Sequence, residues 1–303
     1  MSTGDFPNIL ANVTNKILRA GYDYAGQKWR PFTNIVEVAD FKEMSRVSLS
    51  EAPALELVSE NGAYRHGTMN DAAEKYSIAT YGKIISITRQ VIIDDDLAAF
   101  TRLPWAIGVQ AAQLESDLVW SQILSNPTMT SDNVALFDAQ HGNLATSGAS
   151  ISVLSVGAGR SAMHMQRGLD RVTALAVDPT FIIVPPSLQT AAEQLVGKIR
   201  PEIAAAVVPE SLRKLQIINE PRLENGIAAR DGVPGAAGSS TAWYMAASPG
   251  MVDVVELAYL EGFNGVWTET KVGFEVNGME IKARMDVGAK AIDYRGLYKN
   301  PGQ

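Results

Sequence analysis

The sequence predicts an α+β fold that carries two polar extensions. Short apolar runs bounded by Gly, Pro, Asn and Ser recur in the second half of the chain and predict strands. One long apolar segment, residues 104–124, predicts a well-covered helix. Residues 1–90 hold polar and aromatic side chains but no apolar pattern that would build a core. We therefore expect a globular body with an N-terminal arm and an extended β-ribbon.

The composition sets the broad class. Of 303 residues, 46% are hydrophobic and 19% charged, a balance typical of a globular protein with a substantial core. The absence of cysteine excludes disulfides, thiolate metal sites and a cysteine nucleophile. No apolar run reaches the roughly 18 residues of a spanning helix, and the N-terminus lacks a signal-peptide pattern. We expect a cytosolic protein with no membrane partner.

The charge distribution disfavours sequence-specific DNA binding. The net charge is −7 and the pI is about 5.1. Residues 103–159 contain no Lys or Arg at all. Specific nucleic-acid binders need clustered cations to neutralise phosphates, and a surface built from this span would repel them.

The arm and the ribbon occupy the N-terminal part. Apolar positions near one face predict a short helix at Asn12–Ala20, which Gly21 would end. The stretch "YSIATYGKIISITRQV" predicts one strand, and "ALELVSENGAYRHG" predicts a second strand with a turn at "ENG". We expect these two strands to pair as a ribbon over Val47–Arg89. Isolated hairpins are marginally stable, so the ribbon needs a partner surface.

The contiguous acids Asp94, Asp95 and Asp96 have two interpretations. Asp is favoured at helix N-caps, and a short helical stretch, "LAAFTRL", follows. A calcium loop would require alternating acids and a Glu twelve positions along, where this chain has Trp105. The residues therefore predict a helix cap and no metal. Pro104 then occupies the first position of the long helix that ends at Leu124.

The second half alternates helices and strands. We expect a helix from Ser152 to about Ala174, a buried strand at Phe181–Val184 and a helix capped by Ser187. Further strands are predicted at "LQIINE", "AWYMAAS" and "VVELAYL". The dipeptide Asn277-Gly278 predicts a type I′ turn between two strands, and a last extended segment follows.

Catalytic motifs are not evident. The three histidines His66, His141 and His164 lack ligand spacing, and no GxSxG elbow or phosphate loop is present. We predict no metal, no cofactor and no catalytic residues. The loop "HGNLATSG" around His141 is the nearest approach to a reactive constellation, and a Ser-His-Asp hydrolase stays open as an alternative.

Four ordered stretches resemble a known family. "ALFDAQHGNL", "FIIVPPSLQTAAEQL", "MVDVVELAYLEG" and "VGAKAIDYRGLYKN" resemble the major capsid proteins of tailed bacteriophages, in particular the Mu-like major head subunits, including capsid parts of prohead protease fusions. The resemblance implies the Hong Kong 97-type capsid fold. It implies these parts: an N-terminal arm at 1–46, an extended loop at 47–90, a peripheral domain at 91–179 with its spine helix at 104–124, an axial domain at 180–251, and a return to the peripheral domain at 252–303.

The resemblance also implies the function. Such a protein assembles through hexamers and pentamers into an icosahedral shell around double-stranded DNA, in the host cytoplasm. Its partners would be other copies of itself, with scaffold, prohead protease, portal and decoration proteins, and DNA only non-specifically. Some relatives form a Lys–Asn isopeptide bond; Lys75 and Lys83 lie in the predicted loop, but no matching Asn and Glu are identified. An encapsulin-like compartment shell and a tail or baseplate adaptor are the other structural alternatives.

Overall fold

The computed structural model describes residues 5–49, 71–88, 97–169, 173–197, 210–272 and 278–303. Within these ranges six α-helices follow in chain order, numbered α1 to α6. Their bounds are Asp5–Tyr24, Leu97–Leu124, Val153–His164, Gln189–Val196, Glu210–Arg213 and Arg222–Asn225. Two 3-10 turns occur at Arg30–Phe32 and Pro186–Leu188.

The strands β1 to β11 fall into three sheets. They are Thr33–Val38, Met44–Leu49, Asp71–Tyr76, Ala79–Thr88, Phe181–Val184, Gln216–Asn219, Trp243–Ala246, Val255–Leu260, Trp267–Val272, Gly278–Ala291 and Leu297–Asn300. The mixture of helices and strands confirms the predicted α+β class.

The largest sheet is built around the long strand β10. Its five strands follow the order β1-β8-β10-β4, with β9 also paired to β10. The last residues of β10 pair with β8 and its first residues pair with β9, so both lie on one side, while β4 lies on the other. The β1–β8 pair is parallel. The edges of this sheet within the described residues are therefore β1, β4 and the outer side of β9.

The second sheet is a four-stranded layer covered on both faces. Its order is β11-β7-β5-β6. One face, with Tyr244, joins the core that contains the later turns of α2. The other face, with Trp243 and Met245, packs against α3 and α4. Because both faces are buried, β5 and β7 are apolar throughout, which is why the sequence predicted them well.

The ribbon differs from its prediction. The antiparallel pair is β2 with β3, which joins Met44 to Tyr76 and Leu49 to Asp71. The strand β4 instead pairs with β10 along ten residues and belongs to the main sheet. The predicted pairing of "YSIATYGKIISITRQV" with the upstream strand stays a prediction, but β4 is a strand of the main sheet and not only of a separate ribbon. The upstream strand itself, "ALELVSENGAYRHG", and the "ENG" turn lie outside the described residues.

The helix α2 begins earlier than predicted. It starts at Leu97 and contains Pro104 in its interior, whereas the sequence placed Pro104 at its first position. An interior proline removes one hydrogen bond and costs about 3 kcal/mol, so sequence rules favour a helix start. Packing along the same helix offsets this: Leu118, Trp120 and Ile123 are buried. The residues Asp94–Asp96 lie outside the described ranges, so their role as a cap stays a prediction.

The helix α1 is longer than predicted and does not end at Gly21. Gly21 and Gly108 are contact points at which α1 and α2 approach closely. A Cβ at Gly21 would lie 2.2 Å from the carbonyl oxygen of Trp105, and one at Gly108 would lie 2.0 Å from that of Leu18. The glycines let two helix backbones touch, and the predicted stop signal was in fact a packing signal.

The N-terminal region is also part of the body. Trp29 and Phe32 are fully buried in the core beside Trp120, and β1 completes the main sheet. The expectation that residues 1–90 contribute nothing to a core is wrong for these residues. Their aromatic side chains lack a regular spacing because a turn, rather than a helix or strand, presents them to the core.

Two smaller predictions are corrected. The helix predicted for Ser152 to Ala174 ends at His164, although Ser152 is its N-cap and forms a capping box with Ser155. Ser187 does not cap α4. Its hydroxyl donates to Glu224 Oε1 at 2.7 Å, which ties the turn to α6 instead. The strand prediction on both sides of Asn277-Gly278 is confirmed by β9 and β10, while the turn itself lies partly outside the described residues.

Candidate interaction surfaces

His141 occupies a structural position. Its ring is buried, stacks on Tyr294 at 3.7 Å and faces Asp132 Oδ2 from Nε2 at 2.8 Å. Its Nδ1 lies 3.2 Å from the carbonyl oxygen of Leu136. Both partners are acceptors, so among the described residues neither nitrogen faces a hydroxyl that it could deprotonate. The geometry supports a role in holding the loop together, in which Gln166 also donates to the His141 carbonyl.

The other predicted chemical residues are dispersed. His164 lies 2.5 Å from Asp178 at the surface, and His66 is outside the described residues. Lys75 pairs with Glu43 at 3.5 Å, and Lys83 is exposed on β4. No set of three metal-ligating side chains comes together in the part of the chain that the structure describes. Nor does any helix in that part have the length and apolarity to cross a membrane.

Buried carboxylates hold the base of the two-stranded sheet β2–β3. Glu74 on β3 is 2% exposed and accepts from the backbone N–H groups of Thr130 and Ser131 at 3.0 and 2.9 Å. Lys290 on β10 lies 3.4 Å from the same side chain. The sequence did not single out Glu74, because only the tertiary structure shows that it points inward.

A second carboxylate fixes the same base from the main sheet. Glu256 on β8 is buried and accepts from Arg46 Nε at 2.5 Å and from the hydroxyl of Tyr76. Burial, together with the adjacent Glu256, raises the pKa of Tyr76, so the phenol stays protonated and donates. Two buried polar contacts therefore set the position of β2–β3 on the body.

A third buried carboxylate joins α1 to α2. Glu115 on α2 accepts from the hydroxyls of Tyr22 at 2.7 Å and Tyr259 at 2.8 Å, and from Gln27 Nε2 at 2.5 Å. No cation of the described chain forms an ion pair with it. Burial therefore dominates and raises the pKa of Glu115 to about 7. Tyr22 is affected in the same direction, because burial raises its pKa to about 12.

Large apolar side chains are exposed on several faces. They are Tyr24, Ile35, Phe41, Ile84, Trp105, Leu154, Met165, Met251 and Trp267. Leu154 and Met165 lie near the two ends of α3, eleven positions apart, which is a helical repeat that places both on one side. Single exposed apolar side chains are normal on a protein surface, so only those that lie close together, such as Tyr24 and Trp105, mark a candidate contact region. The sequence alone could not identify them, since each resembles a core residue.

The comparisons with known proteins agree with one another. The family model described as "Phage capsid protein" matches residues 72–300. No curated protein matches the sequence. The mature capsid of bacteriophage PhiM1 matches with a TM-score of 0.61 at 10% identity, over 90% of this chain and 86% of that chain. The capsid of Cyanophage P-SCSP1u gives 0.56 at 10% identity, over 91% and 88%. A virus-like particle from Pyrococcus furiosus gives 0.52 at 11% identity, over 95% and 98%.

Proposed function

Because the chain belongs to the phage capsid protein family, it is a major capsid protein, the structural subunit of a phage head, and we propose how it assembles. Copies associate through hexamers and pentamers into a closed icosahedral shell that encloses double-stranded DNA. The Mu-like subfamily and assembly in the host cytoplasm belong to this proposal. So do the parts named above and the partners beyond the chain itself, namely scaffold, prohead protease, portal and decoration proteins.

The observation that carries the proposal is the attachment of the β2–β3 sheet to the body. A two-stranded sheet has little core of its own, yet Glu74 and Glu256 fix its base with buried hydrogen bonds and ion pairs. Such fixing sets the positions of Leu49 and Asp71, the paired residues on either side of residues 50–70. Contacts between copies at this end of the sheet would then add the burial that a two-stranded sheet lacks.

The structure defines which deletion tests this idea. Removing Val47–Arg89 would also remove β4, a strand of the main sheet, and the buried residues Tyr76 and Ile78. A deletion of residues 50–70, with a short Gly-Ser bridge from Leu49 to Asp71, leaves the described body intact. We expect a folded protein that forms no closed shells in negative-stain electron microscopy and has a much smaller light-scattering mass than the intact chain. Closed shells from the deletion variant would contradict the assignment.

A compartment shell is the second candidate, because the fold is shared with a virus-like particle from Pyrococcus furiosus, which its name does not describe as a phage head. The two kinds of shell differ in what they enclose. Particles isolated after infection or induction should contain DNA if the chain forms a phage head, and protein cargo if it forms a compartment. The ratio of absorbance at 260 and 280 nm, before and after disruption of the particles, separates the two.

A further inference from the structure

Five exposed cations cluster on the surface formed by α1, the turn that follows it and the first turns of α2. They are Lys16, Arg19, Lys28, Arg30 and Arg102. Across the described residues, none of the five forms an ion pair with a carboxylate. Residues 15–30 contain four of them and a single acid, Asp23, in a chain whose net charge is −7. This cationic surface is thus a local reversal of the overall charge.

The geometry brings these residues together. The glycine contacts place α1 directly against α2, and the rings of Tyr24 and Trp105 lie 5.4 Å apart across that contact. Arg102 is one helical turn before Trp105 on the same exposed side of α2. Arg19 and Arg30 line one cavity of about 510 Å³ together with Asp23. The cavity thus brings Arg19 and Arg30 together, Lys16 lies one turn before Arg19 on α1, and the α1–α2 contact places Arg102 on the helix beside them.

We propose that this cationic surface contacts the phosphate backbone of double-stranded DNA inside the shell, without sequence preference. The inference rests on the proposed function, because that function places DNA next to the chain. Phosphate contacts are made by flexible Lys and Arg side chains that stay partly solvated, as these are. The cores of protein–protein interfaces, by contrast, are depleted in Lys and require contiguous apolar area. Here the exposed apolar side chains Ile35 and Trp267 line the cavity among polar and charged groups, and Tyr24 contacts Trp105 nearby.

The acidity of the rest of the chain limits DNA contact to the cationic surface. Residues 103–159 carry no cation and repel phosphates, so DNA would be held at the cationic surface and released from its surroundings. Each neutralised phosphate contributes about −0.9 to the slope of log K against log salt. Five contacts predict a slope of about −4.5, which corresponds to a loss of roughly 500-fold in affinity between 50 and 200 mM salt.

The test uses fluorescence anisotropy of a labelled 30-base-pair duplex with the unassembled full-length protein. The variant K16Q/R19Q/R102Q removes three cations that are exposed and unpaired in the described structure. Its matched control, K42Q/K214Q/K271Q, removes three exposed cations elsewhere. We expect the first variant to reduce the salt slope by about 2.7 and the affinity at 50 mM salt by at least 10-fold. We expect the control to stay within 2-fold of the intact protein.

Several outcomes would overturn the inference. The intact protein would not bind the duplex, or the first variant would keep the affinity of the intact protein. An equal loss of affinity in both variants would also overturn it, because binding would then depend on net charge alone. Closed shells that bind added duplex as tightly as the unassembled chain would also overturn it, since the surface would then face outward. Thermal unfolding should be the same for all three proteins, because the altered side chains are exposed.

Assembly separates this inference from the proposed function. We expect K16Q/R19Q/R102Q to form the same shells as the intact chain in electron microscopy. If the intact chain forms shells and this variant does not, the surface is a contact between copies and the DNA inference fails while the proposed function stands. If neither protein ever forms shells, the proposed function fails.

Discussion

Two junctions of this molecule attach an extension to the body with a buried carboxylate, and they do so differently. At the base of β2–β3, Glu74 and Glu256 each have a cation, Lys290 and Arg46 respectively. At the junction of α1 with α2, Glu115 has only hydroxyl and amide donors. The β2–β3 junction is held by charge pairs as well as hydrogen bonds, whereas the α1–α2 junction depends on hydrogen bonds and close backbone packing.

The difference has a physical consequence. A buried carboxylate beside a cation has much of its desolvation cost offset by attraction, so losing one partner leaves an unpaired buried charge. A buried carboxylate without a cation keeps its desolvation cost and responds by taking up a proton. The β2–β3 junction should therefore be sensitive to mutation, and the α1–α2 junction should be sensitive to pH.

The largest effect should come from Glu74→Ala. The change leaves Lys290 without its partner and two backbone N–H groups without an acceptor in a buried site. We expect a loss of about 4 kcal/mol in the free energy of unfolding, measured by chemical denaturation of the unassembled chain. A loss below about 1 kcal/mol would mean that this carboxylate contributes no more than an exposed charge.

The next effect tests the close packing at the other junction. Gly108→Ala places a Cβ about where the carbonyl of Leu18 lies, so α1 must shift, and we expect a loss of about 3 kcal/mol. Gly157→Ala on α3 is the matched control, because a Cβ there meets nothing within 4 Å. It should be neutral or stabilise by up to about 1 kcal/mol. Equal effects of the two changes would show that helix propensity, and not contact, governs both.

The pH response isolates Glu115. Its pKa is raised from 4.5 to about 7 in the folded chain, so the folded state binds more protons than the unfolded state between those values. Its contribution to stability is complete below about pH 4.5 and decreases, by on the order of 3 kcal/mol, as the pH rises to 7.

Glu115→Gln is the control for this response. The amide has nearly the same shape and cannot titrate, so the variant should lack this part of the pH dependence while other carboxylates titrate as before. Between pH 5 and pH 8 the intact chain should therefore lose unfolding free energy relative to the variant, because only the intact chain carries the falling contribution of Glu115. Identical differences in both proteins would rule out Glu115 as the source.

The smallest effect should come from Lys75→Met, next to Glu74 in sequence. The pair with Glu43 is exposed on both sides, and such pairs contribute about 0.5 kcal/mol. We expect the free energy of unfolding, obtained from thermal unfolding, to fall by about 0.5 kcal/mol at low salt and not to change at high salt, where the ion pair is screened. A change as large as that of Glu74→Ala would mean that adjacent positions of β3 do not differ in burial as the structure indicates.

Part of the fold could be predicted from residues alone. Strands buried on both faces, such as Phe181–Val184, need only an apolar run, and the Ser152 cap follows from local hydrogen bonding. Predictions failed where the same residue type is compatible with two different local structures. Pro104 is compatible with a helix start and, at a cost, with a helix interior. Gly21 is compatible with a helix stop and with a helix contact.

Sequence patterns predicted the fold class, the long helix, most strands of the second half of the chain and, through the resemblance to capsid proteins, the function. These depend on local propensity, apolar period and ordered motifs, which are properties of residues near one another in the chain. The folded structure was needed to show that β1 joins the main sheet, that β4 pairs with β10, that Trp29 and Phe32 enter the core, and that Glu74, Glu115 and Glu256 point inward. The sequence does not show whether a charged side chain is solvated by water or accepts a hydrogen bond from a distant tyrosine. That difference depends on contacts between segments that lie far apart in the chain.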